Sequence, residues 1–464
     1  MSEQELPKGW TVARLGVLAT NRDNVREPVN ATQREGRPGT VPYYGAAGQV
    51  GWIDKALFNE NLLLVGEDGV QFFDPFKQKS YLVSGPAWVN NHAHVLTAQR
   101  GGPSLRYLKY FLDQFDFHGY VNGTTRLKLT RAAMDRIPVK FAPQPEQERI
   151  VAEIDRRLSH VDAAERSLAI SATRIRAAKL SLLRAAASGE LAEAVGAPMT
   201  EVCEREEVAH EPVARRPGWS AVRIEAIAKV GSGGTPKRGE AKYWQGGTIP
   251  WVTSGQVVGG SIAAPAEMIT PLALAETSVK KWPAGTLLVA MYGEGRTRGH
   301  CAELLIEATC NQACAAISLK PEFEQAKAFL KLVLQARYEE NRVLGSGGVQ
   351  ENLNLGLVKS IVVELPPFEE QALIVAETDR RMSLLDAAAA AVTKQQRRCA
   401  ALRQSILVSA FRGELVEQDP TDEPANLLLE RIRDERAAAG QSKTVKKKST
   451  TTPRKPRAKK EPVV

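Results

Sequence analysis

The chain has 464 residues, 43% of them hydrophobic, and a formal net charge of +9. That length exceeds what one ordinary core uses, so two or more domains are expected. No apolar run nears the roughly 20 residues of a membrane helix, MSEQELPKGW lacks a signal-peptide layout, and five cysteines in so long a chain do not make a disulfide framework; a reducing cytoplasm is the expected location.

In chain order, residues 1–142 carry short apolar runs, such as Leu62–Val65 and Trp88-Val89, punctuated by Gly, Pro and Asn. This is a β-rich, loop-rich pattern. Residues 103–117, with Leu105, Leu108, Phe111 and Leu112, read as a short helix. At 143–191 the pattern changes to a long helix. Pro143 and Pro145 stand where helix starts tolerate proline, and Glu146 and Glu148 suit the positive N-terminal end. The apolar spacing that follows is heptad-like: Ile154, Leu158, Val161, Leu168, Ala172, Ile175, Leu182. Gly189 is a natural stop. Residues 192–216 read as a linker. Residues 217–365 are again β-rich, with the run Leu287–Val289 and a short helix at 321–338 carrying Phe329, Leu330, Val333 and Leu334. A second long helix follows at 366–416, with Met382, Leu385, Ala389, Val392, Cys399 and Ile406 as its stripe. Glu165 and Lys179 interrupt the first stripe, and Gln396 and Arg403 the second; such polar positions cost stability but fix register. Residues 417–464 close the chain as a basic tail. Within it, 443–460 hold nine Lys or Arg and no acid, which leaves the rest formally neutral. With almost no apolar residues there, disorder is expected, either as a solvated tail or as an arm touching DNA.

The chain also repeats itself. PQPEQERIVAEIDRRL at 143–158 returns as PFEEQALIVAETDRRM at 367–382, an offset of 224. Ala187–Leu191 answers Phe411–Leu415 at the same offset, and Gly9-Trp10 answers Gly218-Trp219. Similar ends flank dissimilar centres, so this is a duplicated domain and not a solenoid. Helices near 146–187 and 370–411 would each run on the order of 60 Å. Since the first helix leads to the second domain and the second leaves it, matching stripes predict antiparallel packing. The plainer reading is that each helix packs on its own domain.

These features resemble the specificity subunit of Type I restriction–modification systems. The likeness covers residues 7–416 and rests on two P-x-x-E-Q-x-x-I-V helices, Pro143–Val151 and Pro367–Val375, each following a variable domain and ending near G-E-L. IPWVTSGQ (249–256), GGTPKR (233–238) and YYGAAGQVGWIDK (43–55) also look like that family's recognition domains. The resemblance implies an α+β fold: two β-rich target recognition domains joined by two long helices packed as an antiparallel coiled coil, a pseudo-twofold tandem repeat. It implies that each domain reads one half of a split site in double-stranded DNA. The helices would act as a ruler, about 18 base pairs long at about 3.4 Å each. They would also dock two methyltransferase subunits, with motor–nuclease subunits added for restriction, and the chain itself would be non-catalytic.

DNA contact calls for exposed loops with Arg, Lys, Asn, Gln, Thr and Tyr. NGTTRLKLTR offers Thr124, Thr125, Arg126, Lys128 and Arg131, with Gly123 allowing close approach of a phosphate; its counterpart SGGVQENLN offers Gln350, Asn352 and Asn354. Other candidates are Tyr43, Tyr44 and Lys55 in the first domain. In the second they are Thr235, Lys237, Arg238, Lys242, Tyr243, Ser254, Gln256, Tyr292, Arg296 and Arg298. Each has a plainer reading as a solvated charge or turn residue. VGEDG at 65–69 offers Glu67 or Asp68 to a cytosine amino group, or is simply a hairpin turn. His92 and His94 alternate as in a strand, with no Asp, Glu or Cys at ligand spacing nearby, which argues against a metal. His300, Cys301, Cys310 and Cys314 resemble a zinc set, but the CNQAC spacing inside an apolar run favours buried cysteines. Leu365-Pro366-Pro367-Phe368 mimics the N-P-P-[FY] motif of amino-methyltransferases, with Leu365 where that chemistry needs Asn or Asp. GSGGTPK has Pro236 where a phosphate loop needs Gly. Neither methyl transfer nor ATP hydrolysis is expected, and no cofactor or metal.

Overall fold

The computed structural model describes residues 6–194, 218–258, 260–292, 297–338 and 353–448. The chain divides into two compact units, Met1–Leu168 with Lys394–Val464, and Ala169–Thr393. Both mix strands and helices, an α+β fold.

In the first unit, strands Thr11–Arg14 and Pro138–Phe141 pair antiparallel and tie the two ends of the N-terminal domain together. Between them lie two four-stranded sheets. One runs Ala19–Asn21, Ala93–Ala98, Leu62–Gly66, Ser80–Val83; the other runs Gly48–Ile53, Val41–Gly45, Pro86–Val89, Phe58–Asn59. Every residue of Leu62–Gly66 is buried, as a strand covered on both faces requires. The expected short helix is Leu105–Gln114, capped by the Ser104 hydroxyl, which accepts from the Tyr107 N–H.

The second unit repeats the frame and changes the filling. Ser220–Arg223 pairs with Val362–Leu365. Its sheets have five strands (Ala228–Ser232, Cys314–Leu319, Leu287–Ala290, Cys301–Leu304, Ser261–Ile262) and four (Glu267–Ile269, Ile249–Val252, Ala308–Cys310, Lys281–Trp282). The helix expected at 321–338 is a 3-10 turn, Pro321–Ala326, followed by the α-helix Lys327–Ala336.

The repeated sequence now has a physical explanation. In the first copy the Trp10 indole N–H donates to Glu146 Oε2 at 3.0 Å, and Gln147 Nε2 donates to the Ala142 carbonyl at 2.7 Å. In the second copy Trp219 donates to Glu370 Oε1 at 3.0 Å, and Gln371 donates to the Pro366 carbonyl at 2.7 Å. Each Glu-Gln pair therefore clips the first turn of its long helix to the Gly-Trp that opens the domain and to the strand end that precedes the helix. Leu365-Pro366-Pro367-Phe368 is the second of these strand-to-helix joints.

The long helices span Gln144–Ala187 and Phe368–Ala410. Gly189 and Gly413 follow them in left-handed conformation, at φ 77° and 74°, which glycine adopts without strain. In the first unit Leu158 and Val161 share a core with Ile406, Leu407, Ala410 and Phe411, and Arg403 bonds both Asp162 and Glu165, the latter at 3.0 Å. In the second unit Leu182 and Ala186 share a core with Ile374, against which Met382 and Leu385 pack, and Lys179 bonds Asp386. The paired positions rise on one helix as they fall on the other, so the helices run antiparallel. Three of the polar interruptions, Glu165, Lys179 and Arg403, take part in these bonds. Leu168, Ile175 and Val392 are only partly buried. The first turns obey the plainer reading: Ile150 and Ile154 are fully buried in the first unit's core, and Asp155 takes bonds from Arg106 and Tyr110 of that unit.

The tail is a correction. Ala425–Lys448 is helical, and Ala425, Leu428, Leu429 and Ile432 enter the first unit's core. The Ala425 N–H donates to the Gly9 carbonyl at 2.8 Å, and Arg149 pairs with Asp422 at 2.7 Å. The apolar A-x-x-L-L-x-x-I spacing ahead of the basic run supplies the buried face of this helix. Residues 449–464 lie outside the described residues, as does most of the linker at 192–216, although Ala192 is buried in the second unit.

Candidate nucleic-acid interface

In the first domain the hairpin Val121–Asn122 with Lys128–Leu129 lies beside the turn after Leu62–Gly66, where Asp68 bridges to Lys128. Thr124, Thr125, Arg126 and Lys128 are exposed. They are not free charges: Arg126 donates to Asp68 Oδ1 at 2.8 Å, and Lys128 pairs with Glu67 at 3.1 Å. Arg131 pairs with Asp135 at 3.7 Å. Gly123 has φ 107°, and a Cβ there would sit 2.4 Å from the Arg126 carbonyl oxygen. The hairpin itself therefore needs this glycine.

Beneath the hairpin is a half-buried charge network that sequence spacing did not reveal. Asp23 Oδ2 lies 2.6 Å from His94 Nδ1, while His94 Nε2 lies 2.8 Å from the Leu129 carbonyl. Arg26 donates to Glu67 at 2.9 Å and to the Ala93 carbonyl at 2.8 Å. His92 Nδ1 lies 2.9 Å from Asp68 Oδ1. Burial pushes the Asp23 carboxyl up, but the hydrogen bonds from His94 and the Val95 N–H outweigh it and hold it below the ordinary value. Acids thus do lie near both histidines, supplied by the fold and not by local spacing. Among the described residues no group of three His, Cys, Asp or Glu side chains is arranged to hold a metal ion.

Two other first-domain candidates belong largely to the core. Tyr43 is buried, its hydroxyl donating to the Val29 carbonyl at 3.0 Å. Tyr44 is half-buried against Tyr81, with ring centroids 6.1 Å apart. Lys55 stays exposed, its ammonium 5.5 Å from the Trp88 ring centroid.

In the second domain Arg238 is exposed and lies over Trp244 and Trp251, at 4.1 and 4.8 Å from their ring centroids. Both its terminal nitrogens donate to Glu267, at 2.6 and 3.0 Å. Lys242 and Tyr243 donate to one oxygen of Glu276, at 2.7 and 3.1 Å. Lys237 pairs with Glu240 at 3.4 Å, and Thr235 bonds Gln312. Gln256 accepts from the Thr253 N–H at 3.3 Å and donates to the Ala264 carbonyl at 3.0 Å, holding its turn; Ser254 in that turn is half-buried. Tyr292 is exposed and Arg298 half-buried, while Arg296, Gln350 and Asn352 lie outside the described residues. Asn354 caps the helix Leu355–Ser360. Cys301, Cys310 and Cys314 are buried strand residues, and burial pushes the Cys301 thiol up to about 12. His300 stacks on Tyr338, with centroids 4.1 Å apart.

Most candidate cations on both domains are thus paired with carboxylates that orient them. Such donors can be presented to base edges or exchanged onto phosphates. Among the described residues no helix is long and apolar enough to cross a membrane.

Comparison with known proteins agrees with this organisation. The family model described as Type I restriction modification DNA specificity domain matches residues 7–166 and again 217–395. A putative type I restriction enzyme specificity subunit from Haemophilus influenzae is 29% identical over 141 residues, 30% of this chain and 35% of that protein. The EcoKI specificity subunit of Escherichia coli is 42% identical over 100 residues, 20% of this chain and 22% of that protein. The matched stretches thus span about a third or less of these relatives' length. A solved chain from work on complex assembly and conformational transition of the type I R-M system shares the fold, with TM-score 0.63 and 18% identity over 88% of this chain and 99% of that one. With two copies of the domain, one at each occurrence of the Trp–Glu–Gln clip, the chain belongs to the Type I restriction modification DNA specificity domain family.

Proposed function

We propose that this chain is the non-catalytic specificity subunit of a cytoplasmic Type I restriction–modification enzyme. It reads a bipartite target in double-stranded DNA, one half-site per β-rich domain, and brings two methyltransferase subunits, and motor–nuclease subunits where restriction occurs, to that target. One observation carries the reading: the same clip and the same terminal strand pair mount two differently built sheets, five plus four strands in one domain and four plus four in the other. A duplicated frame with different fillings suits two readers of two different sequences. The named relatives support the assignment of partners.

The test is methyl transfer. Purified chain with labelled S-adenosylmethionine and DNA should transfer nothing, and adding the methyltransferase subunit of the same system should give methylation at one bipartite sequence. Transfer by the chain alone would contradict the reading, as would sequence-independent methylation by the mixture.

A further inference from the structure

In the first domain Arg126 is fixed at both ends. Its backbone belongs to the turn that Gly123 closes, where a Cβ would sit 2.4 Å from the Arg126 carbonyl oxygen. Its guanidinium donates from Nη2 to Asp68 Oδ1 at 2.8 Å. Asp68 is held in turn: His92 Nδ1 lies 2.9 Å from the same oxygen, and the Asp68 backbone bridges to Lys128. The residue before it is tied on both sides. The Glu67 N–H donates to the His92 carbonyl and the Leu129 N–H to the Glu67 carbonyl, each at 2.8 Å. Yet the Arg126 side chain is 62% exposed, against 14% for Asp68. A guanidinium carries five N–H donors in one plane. With one of them on Asp68, a fork of donors remains for a ligand, in a plane set by the fold.

Such a fork suits a phosphate or a base edge, and the surrounding charge separates the two. A phosphate site calls for positive charge to spare. Here Arg26, Arg126 and Lys128 are matched one for one by Asp23, Glu67 and Asp68, all within the same set of ion pairs. A base edge calls instead for aligned donors, and an arginine forked onto guanine O6 and N7 in the major groove is the commonest specific contact of this kind. Fixing the guanidinium before DNA arrives also spares the cost of ordering it on binding. We propose that Arg126 reads one guanine in the half-site of the first domain, and that Asp68 is the positioning residue that sets its plane. This rests on the function proposed above and assigns one base of the target to one side chain.

The test expresses the full chain with the methyltransferase subunit of the same system, in a host that lacks both, and maps methylated bases across the genome. Wild type should methylate one bipartite sequence with an invariant guanine, on either strand, in the half read by the first domain. R126Q should accept other bases at that one position, its preference for guanine falling roughly tenfold or more, with every other position of both halves kept. R126K keeps the charge but not the fork, so it should relax the same position to a similar degree. D68N keeps the shape and loses the charge that holds the guanidinium; it should relax that position alone, and less than R126Q does. A loss of folding does not imitate this pattern, because it lowers methylation at all sites together. If R126Q directs no methylation, R126K and D68N decide by the same outcomes. Undiminished selectivity in the variants would overturn the proposal. So would weakening spread evenly over all sequences and rescued by R126K, which would assign Arg126 to phosphate, or relaxation at a base other than guanine. A wild-type chain that directs no bipartite methylation would instead defeat the function on which the proposal rests.

Discussion

At Glu146 burial and hydrogen bonding pull in opposite directions. Burial pushes its carboxyl above the ordinary value, and the Trp10 indole draws it back in part. Because the folded value is raised, the unfolded chain ionises first as pH climbs. Stability from this group therefore falls as pH rises above about 4.5 and stays lowered beyond the raised value. Glu146→Gln keeps an acceptor for Trp10 and removes the charge, so at pH 7 it should melt at or above the wild-type temperature. Glu146→Leu leaves a buried indole N–H without a partner and should cost about 1–3 kcal/mol. Thermal melts of both variants decide: equal losses would show that the charge itself, and not the acceptor, makes the clip. Glu146 and Gln147 were visible in the sequence as a repeated motif, but their partners were not. Trp10 lies 136 positions from Glu146, and no local spacing encodes that contact.

Among the elements, the two long helices were legible because 43 and 44 residues of periodic sequence average out local exceptions. Of the stripe, Leu158, Val161, Leu182 and Ile406 are buried. It missed the division of labour along each helix, because a heptad does not say whether a buried face meets a partner helix or its own domain. Ile154 meets its own domain, while Leu158 and Val161 share a core with Ile406 and Leu407. The C-terminal helix is masked by the charge of the tail as a whole, which dilutes the short apolar face at 425–432. Ile432 is 1% exposed in the first unit's core. Ile432→Asp removes burial worth roughly 1.5–3 kcal/mol and adds a buried carboxyl. The first unit should then melt earlier and be cut by protease near residue 432, with the second unit unaffected. An unchanged melting curve would show that the helix only rests on the surface. The loop candidates were the least legible. No local pattern marks Tyr43 as core, or Arg126, Lys128, Arg238 and Lys242 as each held by an acid. Those acids, Asp68, Glu67, Glu267 and Glu276, lie dozens of positions away along the chain.

For the whole molecule, duplication separates what must stay the same from what can vary. The clip, the terminal strand pair and the glycine stop recur. The sheets between them do not, and neither do the loops they present. On this account a domain can be exchanged without disturbing its frame, because the exchange points fall at the terminal strand pair, Ser220–Arg223 with Val362–Leu365, whose partner strands travel together. The most direct measurement replaces residues 217–365 with the matching segment of a relative that has a different target, co-expresses the chimera with the methyltransferase subunit, and maps methylated bases across the genome. A hybrid bipartite site is expected, in which one half is retained and the other becomes that of the donor. Methylation at the original site in both halves, or a change in both halves at once, would contradict it.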